Sequence, residues 1–326
     1  MSRELEEAFD EVSYLGFPAT SRNLPGMVRA LSREIHEFAP DLVSSHLFHA
    51  DLVTALARSA APRVSTAHTH GLSANDHPLT RLIARAVGAL SFRFAAVIPS
   101  SDSDEMLGFL KSLGMRRITP AILNGSELPL APSFDPRART FMSIARGHPV
   151  KGHVTLFSAF RSIENELPGW TLRAIGPGVE AQNELIQSAI VSADATELLK
   201  NGKITLEGPT DAPAKMLSQA AALVISSLYG ETSPLIGAEA AAAGIPVITS
   251  RVGNCADFVD DPRFAVEPGS IEDLARAMAE YASLSDNERE ALSRAARGRA
   301  ERDYNPARVV AAYRDRFTAV LAERKS

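Results

Sequence analysis

The sequence predicts an α/β protein built from two Rossmann-like, doubly wound domains that face each other across a cleft. Three observations predict it. Short apolar, β-branched runs alternate with longer helix-period segments along most of the chain, the pattern of parallel βαβ units. The 326 residues, 45% of them hydrophobic, are enough for two cores rather than one. Between the two alternating stretches lies SELPLAPSFDPRART, which holds three prolines and no periodicity and reads as a linker. The expected division is an N-terminal Rossmann-like domain over 1–126, a linker over 127–140 and a C-terminal Rossmann-like domain over 141–305. A last helix over 306–326 is placed to pack back on the N-terminal domain.

In the first domain the expected order is strand EVSYLGF, helix LPGMVRALSREIHEF, strand DLVSSHLF, helix ADLVTALARSA and strand PRVSTAH. Helix PLTRLIARAVGALSFRF, strand AAVIPS, helix SDEMLGFLKSLG and strand ITPAILNG complete five strands by about residue 125. The second domain repeats the scheme, with strands near 141–145, 170–175, 203–207, 222–226, 245–249 and 263–266, followed by helices near 286–302 and 306–323. In such folds ligands lie beyond the carboxyl ends of the strands, so the loops there carry the functional candidates.

Composition narrows the function. A formal net charge of −5 with scattered Lys and Arg excludes nucleic acid as the main partner, because a phosphate backbone needs a basic stripe. A lone Cys255 leaves no internal disulfide framework and fits a reducing compartment. The N-terminus MSRELEEAFDEV is acidic and lacks an apolar signal core, and no run is long and apolar enough to span a bilayer. A cytoplasmic protein is expected. The helix at 78–94 carries Arg81, Arg85 and Arg93 among Leu, Ile, Val and Phe. An ordinary Rossmann helix is the stronger reading, and peripheral contact with an anionic membrane is the alternative.

The chemistry concentrates in AALVISSLYGETSPLIGAEAAAAGIPVITS, residues 221–250. A buried strand ends at Ser226 and Ser227, Glu231 follows, and Ser233 with Pro234 reads as an N-cap and first helical residue. Glu239 then lies inside an alanine-rich helix that Gly244 closes. Free N–H groups and the positive helix end would hold a phosphate, while carboxylates in apolar surroundings suit sugar hydroxyls as partners. At another strand end, SIARGHPVKGH sets Arg146 and Lys151 where two cations would neutralise a diphosphate leaving group. IGPGVEA formally matches G-x-G-x-x-A at Gly176, Gly178 and Ala181. It does not sit on the first βα turn of its domain, so close approach of a nucleotide or a loop is preferred to a dinucleotide site. LEGPTDAP offers Gly208 and Asp211, which either read a base edge or form a simple turn. His46, His49, His68 and His70 cluster at two strand ends without metal-ligand spacing, so hydrogen-bonding roles facing the cleft are expected, with no metal. Asp102 and Glu105 fit a capping pattern for the helix that follows.

Taken together these motifs resemble glycosyltransferase family 4, the group 1 glycosyltransferases of GT-B architecture. ARGHPVKG resembles the family's G-R-x-x-x-x-K-G loop. GETSPLIGAEAAAAGIPVITS resembles its E-x7-E segment and E-A-x-x-x-G-x-P-V-I run, and AILNGSELP its N-G loop. DLVSSHLFHA and PRVSTAH resemble first-domain segments, the second aligning His68 with the family's active-site histidine. The resemblance implies a retaining, metal-independent transferase that moves a hexose-type sugar from a UDP- or GDP-linked donor to a saccharide or lipid-linked acceptor, in surface polysaccharide or glycolipid synthesis. It needs no cofactor beyond the donor substrate. Arg146 and Lys151 would hold the diphosphate, Glu239 the ribose and Glu231 the sugar, with backbone N–H groups around Ser233 and Leu235 positioning both and His68 reaching across the cleft. The acceptor hydroxyl would attack from the front face and the leaving phosphate would take its proton, so no protein nucleophile is required. Measured against the family, the chain begins about one βαβ unit late. That motivates a competing class, a non-catalytic GT-B nucleotide-binding protein; a Rossmann oxidoreductase is supported by GPGVEA alone.

Overall fold

Alternation of apolar strands with helices yields two parallel sheets in the computed structural model, which describes residues 9–18, 21–69, 71–72, 77–129 and 131–323. In the N-terminal domain, α1 (Leu24–Phe38), β1 (Val43–His46), α2 (Phe48–Leu56), β2 (Arg63–Ala67), α3 (Pro78–Leu90), β3 (Ala96–Pro99) and α4 (Asp104–Ser112) follow in order. The sheet is β1-β2-β3, all parallel, with Ser45 opposite Ser65 and Val64 opposite Ala96.

Two expected strands of this domain do not form. Residues 11–17 run past the sheet as irregular chain. The apolar residues of EVSYLGF alternate imperfectly, and Gly16 sits at φ +74, which breaks an extended run. The segment from Ile118 is reduced to a bridge with Val97, because Pro120 has no N–H to extend the ladder.

The C-terminal domain holds β4 (Thr140–Ile144), α5 (His153–Ile163), β5 (Thr171–Ile175), α6 (Glu184–Ser192), α7 (Thr196–Lys200), β6 (Ile204–Glu207), α8 (Pro213–Leu217) and β7 (Ala222–Ile225). It continues through α9 (Leu235–Ala243), β8 (Val247–Ser250), β9 (Ala265–Val266), α10 (Ile271–Ser283) and α11 (Asp286–Asp303). Its parallel sheet runs β6-β5-β4-β7-β8-β9, so the chain reverses its direction of travel between β4 and β7. Successive strand residues point to opposite faces, which sorts the core into two layers. Phe141, Leu172, Ala222 and Val224 face one set of helices, whereas Met142, Leu223, Ile225 and Val247 face the other.

The last helix, α12 (Pro306–Glu323), crosses back to the first domain. Val320, with half-buried Val309, Tyr313 and Phe317, covers Val64, Ala96 and Ile98, while Val97 on the opposite face packs with residues of α2, α3 and α4. The proline-rich linker is itself anchored. Leu128 and Phe134 pack on the C-terminal core, and the Ser133 N–H donates to the Ala243 carbonyl at 2.9 Å.

Candidate active site

A doubly wound sheet opens a crevice where its strand order reverses, because the neighbouring loops there lead to helices on opposite faces. Here that point lies between β4 and β7, whose carboxyl ends carry the Arg146–Lys151 loop and the Ser226–Glu231 loop. The two loops are fastened together. The Ser226 hydroxyl donates to the Lys151 carbonyl at 2.8 Å, and the Leu228 N–H donates to the Val150 carbonyl at 2.8 Å. Gly152 is required at this contact: it adopts φ +64, and a Cβ there would lie 2.0 Å from the Ser226 carbonyl oxygen.

The fastened loops bring two of the sequence candidates into contact. The Lys151 ammonium meets Glu231 Oε1 at 2.5 Å, and the Ser227 hydroxyl donates to the same oxygen at 2.5 Å. Both side chains are largely withdrawn from water, at 17% exposed for Lys151 and 8% for Glu231. Arg146, by contrast, is exposed, and its guanidinium makes no hydrogen bond or ion pair with another described residue. Its backbone is held from below. Buried His153 donates Nε2–H to the Arg146 carbonyl at 2.9 Å, and burial lowers the His153 pKa.

The helix beyond Glu231 starts one residue later than its sequence suggests. Pro234 is extended at ψ 127 and is itself the N-cap, so α9 begins at Leu235 and no side chain caps it. Because Pro234 is itself extended, Ser233 lies one residue before the cap position and its hydroxyl does not serve the first turn. Its hydroxyl is instead buried with no partner among the described residues. The first N–H groups of α9 therefore remain for a ligand, and Leu235 is 53% exposed beside them. Glu239 is half-buried one turn further along, without a hydrogen-bond partner among the described residues, and desolvation raises its pKa. A carboxylate so placed is suited to vicinal hydroxyls of a ribose.

The glycines of GPGVEA have a packing reason. Gly176 stands at φ +148, where a Cβ would lie 2.1 Å from the Ala145 carbonyl oxygen, and a Cβ on Gly147 would lie 1.9 Å from the Gly178 carbonyl oxygen. The β4 and β5 loops cross there at backbone distance. Gly208 and exposed Asp211 follow β6, the edge strand two places from β4, and Asp211 has no partner among the described residues.

Across the cleft, His68 at the end of β2 and His46 at the end of β1 form a pair. His46 Nδ1 and His68 Nε2 are 3.0 Å apart, and the rings stack at 5.3 Å between centroids. Burial lowers the pKa of both, and for His68 the neighbouring His46 adds to the effect. His49 is exposed, and His70 falls outside the described residues.

Asp102 corrects a second expectation. The N-cap of α4 is Ser103, which accepts from the Met106 N–H. Asp102 instead accepts a hydrogen bond from Asn254 Nδ2 at 2.6 Å, across the domains, because its side chain lies on the cleft side of the turn. Asn124, in the N-G loop, likewise donates to the Ser233 carbonyl at 2.9 Å. Asn124 was visible within a motif; Ser227, His153 and Asn254 carry no local signal, since their contacts depend on neighbouring strand ends.

With this geometry in view, residues 131–299, more than half of the chain, match the family model described as glycosyl transferases group 1. The chain belongs to that family. Residues 3–107 of this glycosyltransferase also match the model described as Glycosyltransferase Family 4. No curated protein matches it in sequence. Among solved structures it is similar to Anabaena HepE in complex with UDP and glucose, at 18% identity and a TM-score of 0.78, covering 97% of this chain and 88% of that one. Sucrose-phosphate synthase from Thermosynechococcus elongatus is similar at 20% identity and a TM-score of 0.74, covering 91% and 78%. A mutant of S. aureus TarM, solved with Fondaparinux, α-GlcNAc-glycerol and UDP, is similar at 17% identity and a TM-score of 0.74. The group 1 glycosyltransferase chain spans 58% of that protein's length and 89% of its own. At such identities the likeness is one of fold, the two-domain GT-B architecture.

Proposed function

We propose that this glycosyltransferase moves a hexose-type sugar from a UDP- or GDP-linked donor to a hydroxyl of a saccharide or lipid-linked acceptor, with retention of configuration and without a metal ion. The observation that carries the reading is the Lys151–Glu231 pair, buried at the switch point beside an uncapped helix N-terminus. Such a pair presents one cation towards a diphosphate and one carboxylate towards sugar hydroxyls within a single contact. A buried charge persists only when paired, so a donor that takes over either partner exchanges one stabilised arrangement for another.

In this mechanism Arg146 and Lys151 hold the diphosphate and stabilise the charge that grows on it as the glycosidic bond breaks. Glu239 accepts from the ribose hydroxyls and Glu231 from the sugar. The N–H groups at the start of α9 bind phosphate oxygens, and Gly176, Gly208 and Asp211 border the nucleotide. His68 approaches the sugar from the first domain, its orientation fixed by His46. The acceptor oxygen forms its bond to the anomeric carbon on the face the phosphate leaves, and the departing phosphate oxygen takes the acceptor's proton.

Nuclear magnetic resonance of the product tests this reading. The new linkage is expected to keep the donor's anomeric configuration, and excess chelator is expected to leave the rate unchanged. An inverted linkage, or a rate abolished by chelation, would overturn it. Nucleotide binding without turnover of any donor would favour the binding-protein alternative.

We further place the acceptor at a membrane surface and the protein in the cytoplasm, on the inner face. Helix α3 and the turn after it expose Leu79, Leu82 and Phe92 together with Arg85 and Arg93, and no acid intervenes between Asp76 and Asp102. Among the described residues no helix is long and apolar enough to cross a membrane. Co-sedimentation with anionic vesicles but not neutral ones is the expected result; failure with both would remove the membrane part alone.

A further inference from the structure

We infer that the Asn254 side chain is a positioning residue that holds the rim of the N-terminal domain against the loop carrying Glu231. This rests on the transferase reading for its consequence but not for its geometry. Asn254 follows β8 and is only 5% exposed. Every polar atom of its side chain is engaged. Nδ2 donates to Asp102 Oδ1 at 2.6 Å and to Asp257 Oδ2 at 2.5 Å, and Oδ1 accepts from the Ser101 hydroxyl. Ser101 and Asp102 stand at the end of β3, the strand beside the one that ends at His68.

The backbone of the same residue belongs to the donor side. The Asn254 N–H donates to the Thr232 carbonyl at 2.7 Å. The preceding Gly253, at φ +53, lies so near that a Cβ would be 1.9 Å from the Glu231 carbonyl oxygen. One residue thus grips the Glu231–Ser233 loop with its main chain and the opposite domain with its amide.

The chemistry of the amide is specific. Two carboxylates and one hydroxyl converge on it, and a primary amide satisfies all three at once with two donors and one acceptor. Aspartate of the same shape would bring a third carboxylate and no donor, and alanine would leave the exposed Asp102 and Asp257 without the donor that bridges them and the Ser101 hydroxyl without its acceptor. The amide therefore sets the separation between His68's domain and Glu231's loop, and with it the alignment of acceptor and donor.

Removing the amide leaves the backbone bond to Thr232 intact, so nucleotide binding and domain alignment separate. Asn254→Ala and Asp102→Ala are each expected to lower kcat at least tenfold while the Kd for UDP or GDP, whichever binds, stays within twofold. The double variant is expected to be no slower than the slower single one, as for two ends of one contact. Asp102 is exposed, so Asp102→Ala keeps the fold if Asn254→Ala does not.

Hydrogen exchange reads the contact without any turnover. In either variant the 100–104 segment is expected to exchange at least tenfold faster, and this holds whether or not a donor is ever consumed. Unchanged exchange there, or losses in the two variants that multiply, would overturn the assignment. If exchange rises but wild-type protein consumes no donor, the contact stands and the transferase reading fails.

Discussion

Lys151 and Glu231 are each costly to bury alone, so a substitution at either changes stability as well as turnover. With Lys151 on the donor phosphate, as proposed, Lys151→Ala should cost roughly 1.5–3 kcal/mol, about ten- to a hundredfold in donor turnover. It also leaves Glu231 buried with only the Ser227 hydroxyl, so the variant should melt at a lower temperature than Glu231→Gln, which retains that hydrogen bond. Arg146→Ala, at an exposed position without a described partner, should lose turnover by a similar factor with no loss of stability. Calorimetry beside donor kinetics checks the contrast. The histidine pair predicts a pH profile. Burial lowers both pKa values, so the acid limb of kcat should lie below the usual histidine value of about 6.5. Asn in place of His46 should move that limb, because it changes what faces His68. Lys151, Glu231 and Glu239 were legible because their spacing around a glycine loop and a helix start is local. The Asp102–Asn254 contact joins residues 152 apart in sequence, and Asp102 beside a helix start looks locally like a cap.

At the scale of elements, the strand ends decide where chemistry can occur. All six strands of the second domain fall within two residues of their expected bounds, because each is a short apolar run closed by polar or turn residues. The first domain was less legible. Its expected first strand pairs with no strand among the described residues, and its last is stopped by Pro120. Helix α1 is amphipathic yet buries no residue fully, so periodicity alone overstated how firmly that end is packed. Asp51, in the first turn of α2, is buried with the Ser45 hydroxyl 2.6 Å from its Oδ1, and burial pushes its carboxyl up to about 7. The raised value fixes the sign. Stability from the neutral acid is complete below the unfolded carboxylate value near pH ~4 and is lost as pH rises through about 7. The loss is at most about 4 kcal/mol. Melting temperature should therefore fall between pH 5 and pH 8, and Asp51→Asn should flatten the fall.

Over the whole molecule, the contacts of Asn254 with Asp102 and of Asn124 with Ser233 join the strand-end loops of the two sheets, and the chain crosses between domains twice. The linker crosses first, anchored by Leu128 and Phe134, and α12 returns to cover Val64, Ala96 and Ile98. Deleting 306–323 should expose that sheet face and make the first domain, but not the second, sensitive to limited proteolysis. Two α/β layers on either side of a cleft followed from the alternation of apolar runs. The polar contacts that hold the cleft, Asn124 to Ser233 and Asn254 to Asp102, did not, since nothing in either local sequence names its partner. The most direct measurement is nucleotide release from a panel of UDP- and GDP-linked hexoses, comparing wild-type protein with Glu231→Gln. The account predicts that wild-type protein releases nucleotide from at least one donor and that Glu231→Gln releases it at least tenfold more slowly. Release that Glu231→Gln leaves undiminished, or no release from any donor, would contradict it.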